Sequence, residues 1–217
     1  MSYKIGQLRR SSLNNYETTY AGTIEYINYY DNLYSQDSNI IVRDSAFKLS
    51  MPLQKDTTYY LKFKLTSYNA NFKVALCNSE DKTKKMYIKK IYATYGDVCE
   101  LVFTPNDDIY DIIIIERVRR TANELNSSSY NVDRNSIELK SLINVILNLP
   151  APYLKQIGLQ GPPGLLFSLN GEEMRIGKTG IYEVEGINIY QLSFVIRNSS
   201  PIPYEDNLDY FILDFYY

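Results

Sequence analysis

Thr58-Tyr59-Tyr60-Leu61-Lys62-Phe63-Lys64-Leu65-Thr66 is the cleanest alternating stretch in this chain. On an extended backbone Tyr59, Leu61, Phe63 and Leu65 fall on one side, and Tyr60, Lys62, Lys64 and Thr66 on the other. A period of two with an apolar side marks a half-buried antiparallel strand. The pattern recurs in both directions along the chain. Upstream lie Ile40-Ile41-Val42 and Phe47-Lys48-Leu49. Downstream, Phe72, Val74 and Leu76 alternate with outward Asn71 and Lys73, and Met86–Tyr92, Val98–Phe103 and Ile109–Ile115 follow. Turn residues at Ala93–Asp97 and Thr104–Asp108 separate these runs. Ile112–Ile115 is continuously β-branched, which predicts a central strand covered on both faces.

The flanks are less regular. Residues 1–38 are rich in Tyr, Asn, Ser and Asp and read as an irregular N-terminal arm with one strand at Thr23–Tyr29. Asn123–Asp133 reads as an exposed loop. Ser136–Leu147 begins with strand alternation and then loses it, which predicts a bulge or a change of sheet. Asn148-Leu149-Pro150-Ala151-Pro152 reads as a linker, because its two prolines remove donors and stiffen the backbone. The predicted fold class is all-β: a β-sandwich over residues 39–147, a linker at 148–152, and a small C-terminal β-hairpin domain over 153–217.

That C-terminal part carries its own turn chemistry. From Lys155 to Val184 turn signals fall every few residues, which predicts a chain of tight hairpins. Asn170-Gly171 supplies the two positive-φ positions of a type I′ turn, with Leu165, Phe167 and Leu169 before it and Met174 and Ile176 after it. Two sharper readings fail on spacing. A P-loop needs four residues between its first glycine and Gly-Lys-Thr, whereas five separate Gly171 from Gly177, and Ile181–Val184 reads as a strand. The triplet spacing of Gly158, Gly161 and Gly164 is that of collagen but stops at Leu165. Ile187–Ile196 reads as a strand pair or one long strand. The last residues, Tyr210–Tyr217, alternate, with Phe211, Leu213, Phe215 and Tyr217 on one side.

Two resemblances rest on these residues. Ile157-Gly158-Leu159-Gln160-Gly161-Pro162-Pro163-Gly164, Asn170-Gly171-Glu172, Ile176-Gly177-Lys178-Thr179-Gly180-Ile181-Tyr182-Glu183 and the aromatic last strand resemble a C-terminal segment of small structural proteins. Those proteins belong to phage tails and phage-derived contractile particles of low-GC Gram-positive bacteria. The order of strands over residues 40–147 resembles the jelly-roll modules of carbohydrate-binding proteins, in pattern more than in motif.

The first resemblance implies a virion or tailocin subunit, at the baseplate or where fibres attach, that works by docking on other tail subunits within an oligomeric assembly. Phe211, Leu213, Phe215, Tyr217 and the turn Gly161, Pro162, Pro163, Gly164 are its candidate docking residues. The alternative is a receptor-binding module gripping a cell-wall glycan, with Tyr92, Tyr95, Tyr110 and Tyr130 as candidate contacts.

Composition narrows the chemistry. The chain has 217 residues, 22 Tyr, 8 Phe, no Trp and no His. Without histidine there is no Ser-His or Cys-His nucleophile pair and no usual zinc ligand set. Paired carboxylates remain as hydrolytic candidates in Asp107, Asp108, Asp111 and in Glu172, Glu173, though adjacent acids at turns are ordinarily solvated turn formers. Asn106-Asp107-Asp108 is the one dense oxygen cluster to weigh for calcium, against a plain turn. No enzyme activity, cofactor or metal is expected.

A net charge of -2 argues against nucleic acid as a partner, and the run Lys82, Lys84, Lys85, Lys89, Lys90 reads as a solvated face. No stretch has the apolar length of a signal peptide or a membrane span. Synthesis in the bacterial cytoplasm without a signal peptide, followed by release in a particle, is the expected localisation. The two cysteines, Cys77 and Cys99, sit in apolar strand patterns and are expected as buried thiols, with a disulfide as the alternative if their strands are neighbours.

Overall fold

The computed structural model describes residues 4–9, 17–29, 44–66, 70–118, 132–146, 154–160, 165–170, 172–176, 180–187, 191–196 and 212–217. Among these residues every regular element is a β-strand and none is a helix. The chain divides into two compact units, Thr19–Lys140 and a second made of Met1–Thr18 together with Ser141–Tyr217.

In the first unit, strands β3 (Ile24–Tyr29), β4 (Asp44–Leu49), β6 (Ala70–Cys77), β7 (Lys85–Ala93) and β9 (Ile112–Val118) form a five-stranded antiparallel sheet in the order β3-β4-β9-β6-β7. A four-stranded sheet, order β2-β10-β5-β8, holds β2 (Glu17–Thr19), β5 (Tyr59–Lys64), β8 (Val98–Phe103) and β10 (Glu138–Leu142). The inward side of β5 contributes Leu61 and Phe63 to one core with Leu101 and Phe103 of β8. Phe47, Phe72, Val74, Leu76, Ile113 and Ile115 of the five-stranded sheet enter that same core. The arrangement is a β-sandwich, and its alternation is the one the sequence shows.

The two faces of β5 are nonetheless less unlike than alternation alone implies. Tyr60, on the side of Lys62 and Lys64, is buried, and its hydroxyl donates to Oε1 of the buried Glu100 at 2.8 Å. Ile112–Ile115 of β9 is buried throughout, as expected for a central strand. Ile113 and Ile115 lie in the main core, while Ile112 and Ile114 form a second cluster with Ala46 and Cys77.

The second unit differs most from expectation. Four strands, β1 (Lys4–Arg9), β12 (Leu154–Gln160), β15 (Gly180–Ile187) and β17 (Ile212–Tyr216), form an antiparallel sheet in the order β1-β17-β12-β15. The remaining four, β11 (Val145–Ile146), β13 (Leu165–Leu169), β14 (Glu172–Ile176) and β16 (Gln191–Ile196), form another in the order β11-β16-β13-β14. Among the described residues, the one hairpin of successive strands from the expected chain is β13–β14. It closes on a two-residue loop between Leu169 and Glu172, with Asn170 at φ 50°, the left-handed conformation that a type I′ turn demands of its first central residue. Likewise β15 and β16 belong to different sheets and are neither a pair nor one long strand.

Residues 1–38 are therefore not simply an arm. Their described stretches supply β1, β2 and β3 to three different sheets: β3 is the strand expected at Thr23–Tyr29 and pairs with the next strand, β4, whereas β1 and β2 pair with β17 and β10, remote in sequence. The expected change of sheet after Ser136 is present: β10 joins the sandwich and β11 the second unit, with Ile143-Asn144 between them. The chain crosses between the two units within β2 and within β10; residues 148–152, expected as a linker, lie outside the described residues, as does most of 123–133.

Phe72 is wholly buried in the sandwich core. Phe72→Ala is expected to lower the unfolding free energy by about 3–5 kcal/mol, the usual cost of emptying a buried phenyl site. Urea titration followed by tyrosine fluorescence measures it, and a loss below about 1 kcal/mol would contradict the close packing assigned to this core.

Candidate functional site

The last strand decides which side chains the second unit presents. β17 lies between β1 and β12, so both of its backbone edges are already hydrogen-bonded. Leu213 and Phe215 are fully buried, so the apolar side of this alternation is not offered to solvent for docking. Tyr217 continues that side, half-buried, with the Lys155 ammonium 5.0 Å from its ring centroid. Phe211 and the turn Gly161–Gly164 lie outside the described residues.

The opposite side of β17 carries Ile212, Asp214 and Tyr216. Register places Asp214 beside Gly158, and Gly158 in turn beside Ile181 of β15. A Cβ at Gly158 would stand 3.2 Å from Cε2 of Tyr216, so glycine is what allows the tyrosine ring to lie across the strand. Asp214 accepts hydrogen bonds from the Gln7 amide and the Lys4 ammonium, both at 2.7 Å. Beside them Gln156 donates to Glu183 at 2.6 Å, and Ile181 is 63% exposed.

The four candidate glycan contacts separate. Tyr92 on β7 and Tyr95 in the following turn are 70% and 66% exposed. Tyr110 is buried in the sandwich core, where its hydroxyl donates to Asn106 Oδ1 at 2.8 Å, so it is withdrawn as a contact. Tyr130 lies outside the described residues. Tyr87, passed over in the sequence, is 51% exposed. Tyr87 pairs with Ala75 and Tyr92 with Asn71, four residues apart on β6, so both tyrosines stand on one face, with the cross-strand pair Lys73 and Lys90 between them. The register shift in β7 near Ile88 keeps these positions on one face, which simple alternation would have split.

The candidate acids are mostly employed in turns. Asp108 accepts from the Lys55 amide, and Asp107 from the Asp108 amide at 2.8 Å. With Asn106 bound to Tyr110, this oxygen cluster serves as a plain turn. Among the described residues no group of three or more His, Cys, Asp or Glu is placed to hold a metal ion. Cys77 and Cys99 are buried in different sheets and not joined in a disulfide.

A further polar cluster joins residues that the sequence did not bring together. Lys48 on β4 reaches Ser79 Oγ at 2.6 Å and pairs with Asp111, whose carboxylate also receives the Ser79 amide at 2.8 Å and hydroxyl at 2.6 Å. A serine beside a lysine suggests a nucleophile and base. Here the Lys48 ammonium donates to both Ser79 Oγ and the Asp111 carboxylate, and the cluster ties the loop after β6 to the sheet. Burial raises the Asp111 carboxyl, but hydrogen bonds from Lys48 and Ser79 outweigh it and hold the group below its ordinary value. Glu116 on β9 goes the other way. Burial pushes it up, and Lys73 and Lys85 offset only part of that. It is 4% exposed, and its Oε2 has no hydrogen-bond partner among the described residues.

No protein-family model, no curated protein and no solved structure matches this chain.

The two acids give opposite pH signatures. Asp111 is depressed in the folded state, so its stabilisation is complete above the unfolded value of about 3.9 and is lost as pH falls through the folded value. Glu116 is raised, so stability is greatest below its unfolded value of about 4.3 and declines as pH rises toward the folded one. Urea midpoints between acid and neutral pH test both. Asp111→Asn should cost about 1 kcal/mol at neutral pH, discounted for the partly exposed lysine, and less in acid. Glu116→Gln should gain on the native chain as pH rises. Parallel profiles for native and variant chains would contradict the assignment.

Proposed function

We propose that this chain is a non-enzymatic structural subunit of a phage tail or phage-like contractile particle, placed at the baseplate or the fibre attachment and acting by docking on neighbouring subunits. One observation carries the proposal. The segment with the tail-protein resemblance, together with the N-terminal strand β1, folds as a compact unit of its own, and that unit sets exposed Ile181 on an edge strand beside Gly158. Ile181 and the Tyr216 ring stand about Gly158 and together offer an apolar contact to another protein. Docking falls to the outward side of this sheet, Ile181 and Tyr216, and not to Leu213 and Phe215.

A tagged copy expressed in the native host is expected to sediment with intact particles. Ile181→Arg combined with Tyr216→Ala should reduce the incorporated copies at least tenfold while the isolated chain keeps its thermal midpoint. A protein that stays at the top of the gradient under particle-producing conditions would refute the reading.

The sandwich supports a second reading, a glycan-recognition module, through Tyr87 and Tyr92 on one sheet face and Tyr95 in the adjoining turn. Rings of this kind stack on sugar faces, and the lysines between them suit an acidic or phosphate-bearing polymer. If it holds, purified chain binds host cell walls, and Tyr92→Ala lowers the affinity by about tenfold, on the order of 1.4 kcal/mol. Absence of binding with walls in excess would dismiss it.

A further inference from the structure

The sheet β1-β17-β12-β15 ends in two strands whose outer edges have no strand partner among the described residues. Every neighbouring pair within it is antiparallel. With an even number of antiparallel strands, the two end strands run in opposite directions. If β1 of a second copy is laid beside β15 without turning that copy over, the antiparallel alternation continues unbroken.

The edges are also matched in charge and length. β1 reads Lys-Ile-Gly-Gln-Leu-Arg, with two cations and no anion, and β15 reads Gly-Ile-Tyr-Glu-Val-Glu-Gly-Ile, with two anions and no cation. Each keeps a regular register against its own neighbour over four residues, Gly6–Arg9 on β1 and Gly180–Glu183 on β15. Open edges are ordinarily guarded by lysine, proline or a bulge that turns the strand away. The edge strand β7 of the sandwich is guarded in this way, by Lys85, Lys89, Lys90 and a register shift. β15 has no lysine and no proline; its register shift lies beyond Glu183, and the regular stretch before it exposes Ile181.

We propose that copies of this chain join head to tail, β1 of one adding to the edge of β15 of the next, so that the four-stranded sheet runs on from subunit to subunit. A register that keeps each face of the sheet continuous and joins the two regular stretches sets Ile181 opposite Arg9 of the next copy and Glu183 opposite its Gln7, with Glu183 and Arg9 diagonal neighbours. Such a contact is heterologous: it closes into a ring if the rotation per copy divides a full turn, and otherwise grows as a filament. The proposal rests on the structural-subunit reading for its setting but is tested apart from it.

Sedimentation velocity and native mass spectrometry on the full chain, over a concentration series, provide the test. The native chain is expected to form species larger than the monomer as concentration rises. Arg9→Glu and Glu183→Lys should each weaken association at least tenfold, because like charges then meet at the junction. The double variant, with both charges exchanged, should restore it. Ile181→Arg supplies an independent block at an exposed position if either charge variant folds poorly by circular dichroism. A chain monomeric at every concentration, association insensitive to both charge changes, or association sensitive to only one of them, as in a β1–β1 or β15–β15 dimer, would each overturn the proposal. A monomeric chain that still enters particles removes this mode of joining and leaves the structural reading standing; a chain that assembles but enters no particle does the reverse.

Discussion

The ladder between β1 and β17 is the constraint on which this architecture depends. It pairs Lys4 with Tyr216 and Arg9 with Ile212, residues at the two extremes of the chain. Closing so long a loop costs conformational entropy, although the cost grows only slowly with length. What offsets it is the apolar area that β17 buries, Leu213 and Phe215 above all, once both of its edges are hydrogen-bonded. The ladder makes the sandwich, Thr19–Lys140, an insertion within the sequence of the other unit. Entry and exit run through β2 and β10, neighbours in one sheet, so the insertion begins and ends at closely spaced points, as inserted domains commonly do.

What could be read from the sequence follows from the range of the interactions involved. The strands β5, β6, β8 and β9 declare themselves because each buries one or both faces in a core, and burial imposes a local pattern of period two or a continuous apolar run. The hairpin at Asn170 is legible for a similar reason, since a two-residue turn is a local demand on φ. β1 offers no such mark: Lys-Ile-Gly-Gln-Leu-Arg has too few apolar residues to read as buried, and it is a strand only because β17 is there to pair with it. The sheet membership of β12 to β16 is likewise set by pairing across the unit, so turn chemistry alone wrongly joined them as successive hairpins.

The candidate sites divide in the same way. Alternation in Tyr210–Tyr217 separates two sets of residues but carries no sign saying which set faces in. The larger apolar set, Leu213 and Phe215, went inside, as hydrophobic burial favours. The face shared by Tyr87 and Tyr92 depends on the bulge in β7, which strict alternation cannot anticipate. The Lys48–Ser79–Asp111 cluster joins β4, the loop after β6 and the approach to β9, three places that only the folded sheet brings together.

The abundance of tyrosine has a physical reading that composition leaves open. Several of the buried and partly buried rings use their hydroxyls to satisfy polar groups at the margin of the core. The Tyr59 hydroxyl receives the Gln54 amide at 2.9 Å, and the Tyr20 hydroxyl both donates to the Met51 carbonyl at 2.7 Å and accepts from its amide at 2.9 Å. Tyr110 donates to Asn106, and Tyr60 to the buried Glu100. Phenylalanine at these positions would fill the same space and leave a loop amide or a buried carboxylate short of a partner, at a cost of about 1–3 kcal/mol for each group left unsatisfied. A sandwich with loops folded down on its rim therefore favours a ring with a polar tip. That explains why an aromatic count suggestive of a binding surface divides, on folding, into rim tyrosines that fasten loops and a smaller exposed set, Tyr87, Tyr92 and Tyr95, that fastens none of the loops traced here.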